Sequence, residues 1–393
     1  MVFRFVFCFL FFVFGVFFVF DLSYLMHGVR CTYFRGETSA QIDDFRFFYT
    51  NPVVSMRPIS VPRSQKYLEH VKNDSLKLAL EKSETTAFLV VQNDSIVLEK
   101  YWPGGGTDIL SNSFSMAKSI MSLLVGSAID SGFIESVDQN VVDFIPEIKN
   151  HDSQKPVKIK HLLSMSSGLD WFENYTRPVS VTAKAYYGNN IKNLMFERSF
   201  VSDPGETFKY QSGDTQLLGI LLERAVGESV SSYAGRALWS KIGATKNALW
   251  SLDSEGGVEK TFCCFNSTAR DFAKIGMVML GGGKIYDSTV VSREYVDWLF
   301  NIPLLKMGDQ KSSGFGKPIN HYSNSWYVAK VMTKDVFYAR GFLGQYIVVI
   351  PDLNLVFVRL GRKEDPASSY DNEYLLTNGL KFFVEQVILD FNI

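Results

Sequence analysis

Residues 113–120 read Ser113-Phe114-Ser115-Met116-Ala117-Lys118-Ser119-Ile120, and the tetrad Ser115-x-x-Lys118 inside them occurs once in the chain. Downstream, Ile120, Leu123, Leu124 and Ala128 recur at helical spacing as far as Gly132, so a helix is expected over 115–130. Residues three apart share a helix face, which puts the Lys118 amine beside the Ser115 hydroxyl. A helix N-terminus adds positive potential where an oxyanion would form. A serine needs a base, and no histidine is placed to serve it. Lysine can act as that base if its pKa falls from about 10.4 toward ~7, at about 1.4 kcal/mol per unit. Alone, such a tetrad is weak, because Ser and Lys are common.

Strand signals lie at both ends of the chain. Thr86–Val91 is a continuous apolar run, followed by Asn93-Asp94 and Ile96–Leu98, which predicts a hairpin whose first strand is buried on both faces. Tyr346–Ile350 and Leu355–Leu360 flank Pro351-Asp352 as a second hairpin, with Val336–Ala339 a strand before it. Leu376, Leu380, Phe383, Val384 and Val387 form one stripe of a last helix over about 373–390. Gln216–Ala225 reads as another helix. The expected architecture is α+β: an antiparallel sheet from both chain ends, flanked by helices, with a large helical insertion between them.

Phe occurs 33 times in 393 residues, and ten of these fall in the first twenty. Between Arg4 and Asp21 there is no charge. Residues 1–23 are expected to be a membrane anchor or a signal; residues 18–28 offer no small-residue pair for cleavage. Either alternative exports the bulk of the chain, to the periplasm or extracellular space. Residues 24–60, aromatic and polar with Pro52 and Pro58 near their end, are expected to be a stalk, and 61–393 the catalytic domain.

Other chemistries are excluded. Forty basic against forty-one acidic residues leave a net charge of −1, so no nucleic-acid partner is expected. The five histidines show no HxH or HxxxH spacing, so no metal site and no cofactor are expected. No GxSxG elbow occurs. Gly104–Gly106 and Gly281–Gly283 read as surface turns. The adjacent Cys263 and Cys264 are expected to be buried structural thiols.

Context lifts the tetrad. Residues 160–169 read KHLLSMSSGL, 205–219 GETFKYQSGDTQLLG, 269–276 ARDFAKIG and 341–351 GFLGQYIVVIP. In this order and spacing, over about 65–390, the chain resembles the serine β-lactamase-like superfamily. Within it the likeness is greatest to class C-type β-lactamases, esterases, D-alanyl-D-alanine carboxypeptidases and 6-aminohexanoate-dimer hydrolases. The resemblance implies Ser115 as acylated nucleophile, Lys118 as its activating partner and Tyr210 as the second-motif tyrosine. A tyrosine beside an ammonium is expected to give up its proton more readily and to serve as base. The resemblance further implies an oxyanion hole from the Ser115 and Phe342 N–H groups. Ser212, Trp171, Gly341 and Gln345 are implied at the substrate. The sequence departs from class C enzymes at the third motif, where Arg340-Gly341-Phe342 replaces Lys-Thr-Gly.

The expected function is a serine hydrolase cleaving a small ester, amide or peptide through acyl-Ser115. The alternatives are a β-lactamase or D-alanyl-D-alanine carboxypeptidase, a penicillin-recognising sensor that does not turn over, and an envelope protein with a vestigial site.

Overall fold

The computed structural model of the protein describes residues 22–150, 154–308, 316–364 and 376–391. The apolar N-terminal run lies outside the described residues. Among the described residues, no helix is long and apolar enough to cross a membrane.

The strands used below are β1 (Thr50–Val53), β2 (Arg63–Leu68), β3 (Thr85–Gln92), β4 (Ser95–Tyr101), β5 (Ser111–Asn112), β6 (Ala248–Ser251), β7 (Phe265–Ser267), β8 (Tyr322–Ser323), β9 (Trp326–Val331), β10 (Lys334–Gly341), β11 (Gln345–Ile350) and β12 (Leu355–Gly361). The helices are α1 (Ser23–Cys31), α2 (Asp74–Lys82), α3 (Met116–Asp130), α4 (Val181–Tyr187), α5 (Ser212–Val226), α6 (Ala269–Leu280) and α7 (Asn378–Phe391).

An eight-stranded sheet in the order β8-β9-β10-β11-β12-β3-β4-β2 joins the two chain ends where β12 pairs antiparallel with β3. The Asn93-Asp94 turn between β3 and β4 takes positive φ at both residues, the conformation that matches strand twist in a tight hairpin. Strand β3 is buried on both faces: Ala87, Leu89 and Val91 enter one core, Phe88 and Val90 the other. The sheet is not wholly antiparallel, because edge strand β2 runs parallel to β4. Helix α2 carries the chain across between β2 and the hairpin, which makes that orientation possible.

One face of the sheet is covered by α2 and α7, whose stripe of Leu380, Phe383, Val384 and Val387 is fully packed. The other face carries α3, α6 and the helical insertion. From Met116 to Ala128 every residue of α3 is buried. An all-round apolar helix belongs in the centre of a protein, and α3 lies between β10 and α5. That placement carries Ser115 and Lys118 into the interior.

Residues 24–60 are not a stalk. Helix α1 packs on α4, where the two ring nitrogens of His27 lie 3.0 Å from the carbonyls of Tyr187 and Phe47. Strand β1 joins a second sheet of order β1-β6-β7-β5. Ile42 and Val53 enter the main core, each contributing about 1.5–3 kcal/mol by burial. Asp44 is fully buried and accepts bonds from Arg35 at 2.8 Å, the Gln41 N–H at 2.9 Å and the Tyr186 hydroxyl at 3.2 Å. The stretch shows no sequence period because its elements are short and irregular, so tertiary contacts alone define them.

A further correction concerns Cys263 and Cys264, which form a disulfide with each other. Both are buried, as expected, but not as thiols.

Candidate active site

Strand β5 delivers the chain to Ser115 through a tight turn. The Ser113 N–H bonds the Phe265 carbonyl at 2.8 Å, and Asn112 Oδ1 accepts from the Phe114 N–H at 2.9 Å. Phe114 takes φ +45, a left-handed conformation that costs a bulky residue about 1–2 kcal/mol. The strain turns the backbone directly into α3. Ser115 makes no capping bond with its side chain, so its hydroxyl is spared for other work.

Lys118 is buried beside it. Its Nζ lies 3.0 Å from Ser115 Oγ, 3.2 Å from Ser212 Oγ and 2.9 Å from the Phe262 carbonyl, donating to all three as an ammonium. Burial pulls the amine down from 10.5 to about 8, and the Glu173 carboxylate opposes the fall. The neutral amine has two hydrogens and one lone pair. The Phe262 carbonyl can only accept, so it takes one hydrogen. Ser212 Oγ gives its own hydrogen to Glu173 Oε1 at 2.9 Å, so it takes the other. The lone pair is left facing Ser115, the arrangement a general base requires.

Glu173 was not anticipated from sequence. It accepts the Ser212 N–H at 2.7 Å, at the start of α5, and the Trp171 indole N–H at 2.8 Å. A carboxylate at a helix N-terminus is favourably placed. A single acid in a loop carries no spacing signal, and only its position five residues after Gly168 in the SSGLD stretch could have drawn notice.

Tyr210 is brought to the same place. Its phenol interacts with the hydroxyls of Ser115 and Tyr327. The Lys118 amine sits over its ring, 5.1 Å from the centroid, rather than at its oxygen. Burial pushes the phenol above its ordinary 10, and the Ser115 bond only partly offsets this. Burial thus works against the expected easing of its ionisation by the lysine and favours the neutral phenol.

At the end of β10, a side chain on Gly341 would run into the Ser113 carbonyl, so only glycine lets the strand approach the nucleophile turn. Phe342 follows, its ring 5.5 Å from Phe114 and stacked on Tyr175 at 6.2 Å. Ser212, implied at the substrate, is bonded here to Lys118 at 3.2 Å and to Glu173 at 2.9 Å.

Two residues expected at the substrate do not reach it. Trp171 is buried against Gly213 and its indole is committed to Glu173. Gln345 is fully buried, with Nε2 donating to the carbonyls of Phe342 at 3.0 Å and Gly361 at 2.6 Å and Oε1 accepting the Gly361 N–H at 3.0 Å. Both support the site from behind. Arg340 lies on the opposite side of β10 from Gly341, since successive residues alternate. It pairs with Glu364 at 2.9 Å, and Tyr346 bonds the same carboxylate.

A hydroxyl at a helix start, an amine drawn toward neutrality by burial and a phenol beside the serine form a site of the SxxK serine-hydrolase type. Comparison with known proteins agrees: the Beta-lactamase family profile matches residues 79–378, and the chain belongs to that family. A 6-aminohexanoate-dimer hydrolase from Paenarthrobacter ureafaciens is 28% identical over 316 residues, covering 74% of this chain and 76% of that protein. Among solved structures, one from Bacillus anthracis described as a 6-aminohexanoate-dimer hydrolase superposes with a TM-score of 0.70 at 21% identity, covering 88% of this chain and 90% of the other. A family VIII carboxylesterase superposes with a TM-score of 0.56 at 16% identity, covering 77% of this chain and 93% of the other. The protein is a serine hydrolase of the β-lactamase-like superfamily.

Proposed function

We propose that the protein hydrolyses a small ester or amide lacking a carboxylate next to the scissile bond. Ser115 attacks the carbonyl as neutral Lys118 takes its proton. Lys118, with the neutral Tyr210 phenol beside it, then returns the proton to the leaving group. The N–H groups of Ser115 and Phe342 stabilise the oxyanion. Water repeats the sequence on the acyl-enzyme, with Lys118 again as base. The observation that carries this reading is the set of three partners around Lys118 Nζ, which leaves its lone pair for Ser115.

Arg340 is paired with Glu364, and although its charge is felt at the Tyr210 phenol, that pairing supports the choice of a neutral substrate. A carboxylate beside the scissile bond would be desolvated opposite a cation already paired with Glu364. The relatives named for an amide dimer and for carboxylesters support both bond types.

The charge-free run from Phe5 to Phe20 supports export, with that segment as the membrane anchor. The Cys263–Cys264 disulfide supports an oxidising compartment. Pre-steady-state assay against a panel of nitrophenyl esters and anilides tests the enzymatic reading. A burst followed by steady turnover is expected; a burst alone would favour the sensor alternative.

A further inference from the structure

We infer that Arg359, working with Gln345, is the positioning residue for the oxyanion hole: its buried guanidinium clamps the turn after Phe342 and so aims the Phe342 N–H at the carbonyl attacked by Ser115. This rests on the reading of Ser115 and Phe342 proposed above.

Arg359 stands in β12, opposite Tyr346 on one side and Phe88 on the other, and is fully buried. A guanidinium has five N–H donors, and all five are used. Nη1 donates to the carbonyls of Leu343 at 2.8 Å and Gly344 at 2.7 Å. Nη2 donates to the carbonyls of Ser83 and, at 2.9 Å, Lys363. Nε donates to Thr85 Oγ1 at 3.1 Å. Every one of these acceptors is neutral. The carboxylates of Glu364 and Glu84 act on it only at longer range, and burying a cation whose direct partners are all neutral is costly. Charge-assisted bonds do fix carbonyl directions more firmly than neutral ones.

Two of the four carbonyls fixed here, those of Leu343 and Gly344, belong to the tight turn 342–344. Leu343 (φ +61) and Gly344 (φ +74) both hold left-handed conformations there. A side chain on Gly344 or Gly361 would collide with the guanidinium, so two glycines make room for it. Gln345 adds the remaining hold, through its 3.0 Å bond to the Phe342 carbonyl. Upstream, Gly341 is packed against the Ser113 carbonyl. The Phe342 N–H is thus clamped from both sides. An N–H so held needs no reorganisation as negative charge develops.

The full chain in detergent, assayed on a neutral nitrophenyl ester, tests the inference with Arg359→Met, Arg359→Lys and Gln345→Met. A misaimed oxyanion donor costs about 10²-fold in kcat. That loss is expected for Arg359→Met, with KM nearly unchanged. Affinity for a phenylboronic acid, which Ser115 converts to an anionic tetrahedral adduct, should fall in step. The midpoint of the acid limb of the pH profile, set by Lys118, should stay in place, and millimolar guanidinium should recover part of the rate. Arg359→Lys keeps the charge but has three donors for five acceptors, so a smaller loss of the same kind is expected. Gln345→Met frees the Phe342 carbonyl without touching the cation and should show the same signature. Any of these variants that melts cooperatively and keeps wild-type kcat and boronate affinity overturns the inference. Ser115→Ala separates the two claims. If it is inactive while the Arg359 and Gln345 variants are normal, only this inference falls; if it still turns over ester, the reading of the site falls with it.

Discussion

Replacing Glu173 by Gln should move the acid limb of the kcat/KM profile to lower pH. Neutral Lys118 is the active form, and its pKa of about 8 is the balance of burial, which lowers it, and Glu173, which raises it. Glu173 Oε1 lies 2.9 Å from Ser212 Oγ, itself 3.2 Å from Lys118 Nζ, so carboxylate and amine stand at most about 6 Å apart. Two unit charges at that distance attract by about 0.7 kcal/mol at the dielectric of water and about 2.8 kcal/mol at an effective value of ~20. At about 1.4 kcal/mol per pKa unit, that spans about 0.5 to 2 pH units. Glu173 is half-buried, which favours the lower part of the span. The sign follows from the charges: removing an anion disfavours the ammonium, so the amine is neutral at lower pH. The assay is kcat/KM for a neutral nitrophenyl ester between pH 5 and 10, each profile normalised to its own plateau, with thermal melts to confirm that Ser212 and Trp171 remain in place. A wild-type midpoint near 8 is expected, and a variant midpoint about 0.5–1 unit below it. An unmoved or raised midpoint would refute Lys118 as the free base tuned by Glu173.

Three further outcomes are expected. Tyr210→Phe should lower kcat by roughly 10²–10⁴ while leaving the acid limb where it is, because the phenol stays protonated; a limb that disappears with the phenol would make Tyr210 the base. Asp214 is buried, accepts from Ser167 at 2.5 Å, and is pushed from 3.8 up to about 8 by burial. The native state therefore holds an extra proton between those values, stability falls as pH rises through that window, and Asp214→Asn should flatten the fall in melting temperature from pH 5 to pH 9. An equally steep fall in the variant would show that other groups cause it. A short-chain nitrophenyl ester should exceed a cephalosporin in kcat/KM by at least about 100-fold, or ~2.7 kcal/mol, with Arg340→Ala changing neither value much; comparable values, with cephalosporin turnover lost in Arg340→Ala, would show that Arg340 serves the cleft.

Much of the fold was legible because its elements obey local rules. The Asn93-Asp94 turn between apolar runs specified the β3–β4 hairpin, and the stripe through Leu380 and Val387 specified α7. Ser115, Lys118, Tyr210 and Ser212 were legible through motif order, and the structure brings them together. The supporting groups were not. Trp171 and Gln345 sit in the right stretches, but sequence does not show which way a side chain faces, and both point inward. The role of Glu173 depends on a loop folding back onto the start of α5. Residues 24–60 read as a stalk because their order comes from contacts with α4 and β6, more than a hundred residues away. The Tyr210 phenol misled for a physical reason: motif adjacency suggests a nearby cation, but burial outweighs it.

The most direct test of the account is to locate the covalent intermediate. The full chain is treated with a fluorophosphonate, and the adduct is mapped by peptide mass spectrometry, with Ser115→Ala as control. Stoichiometric modification of Ser115, faster as pH rises through about 8 and absent in Ser115→Ala, is the expected result. Labelling at another residue, or labelling and ester turnover that survive Ser115→Ala, would contradict it.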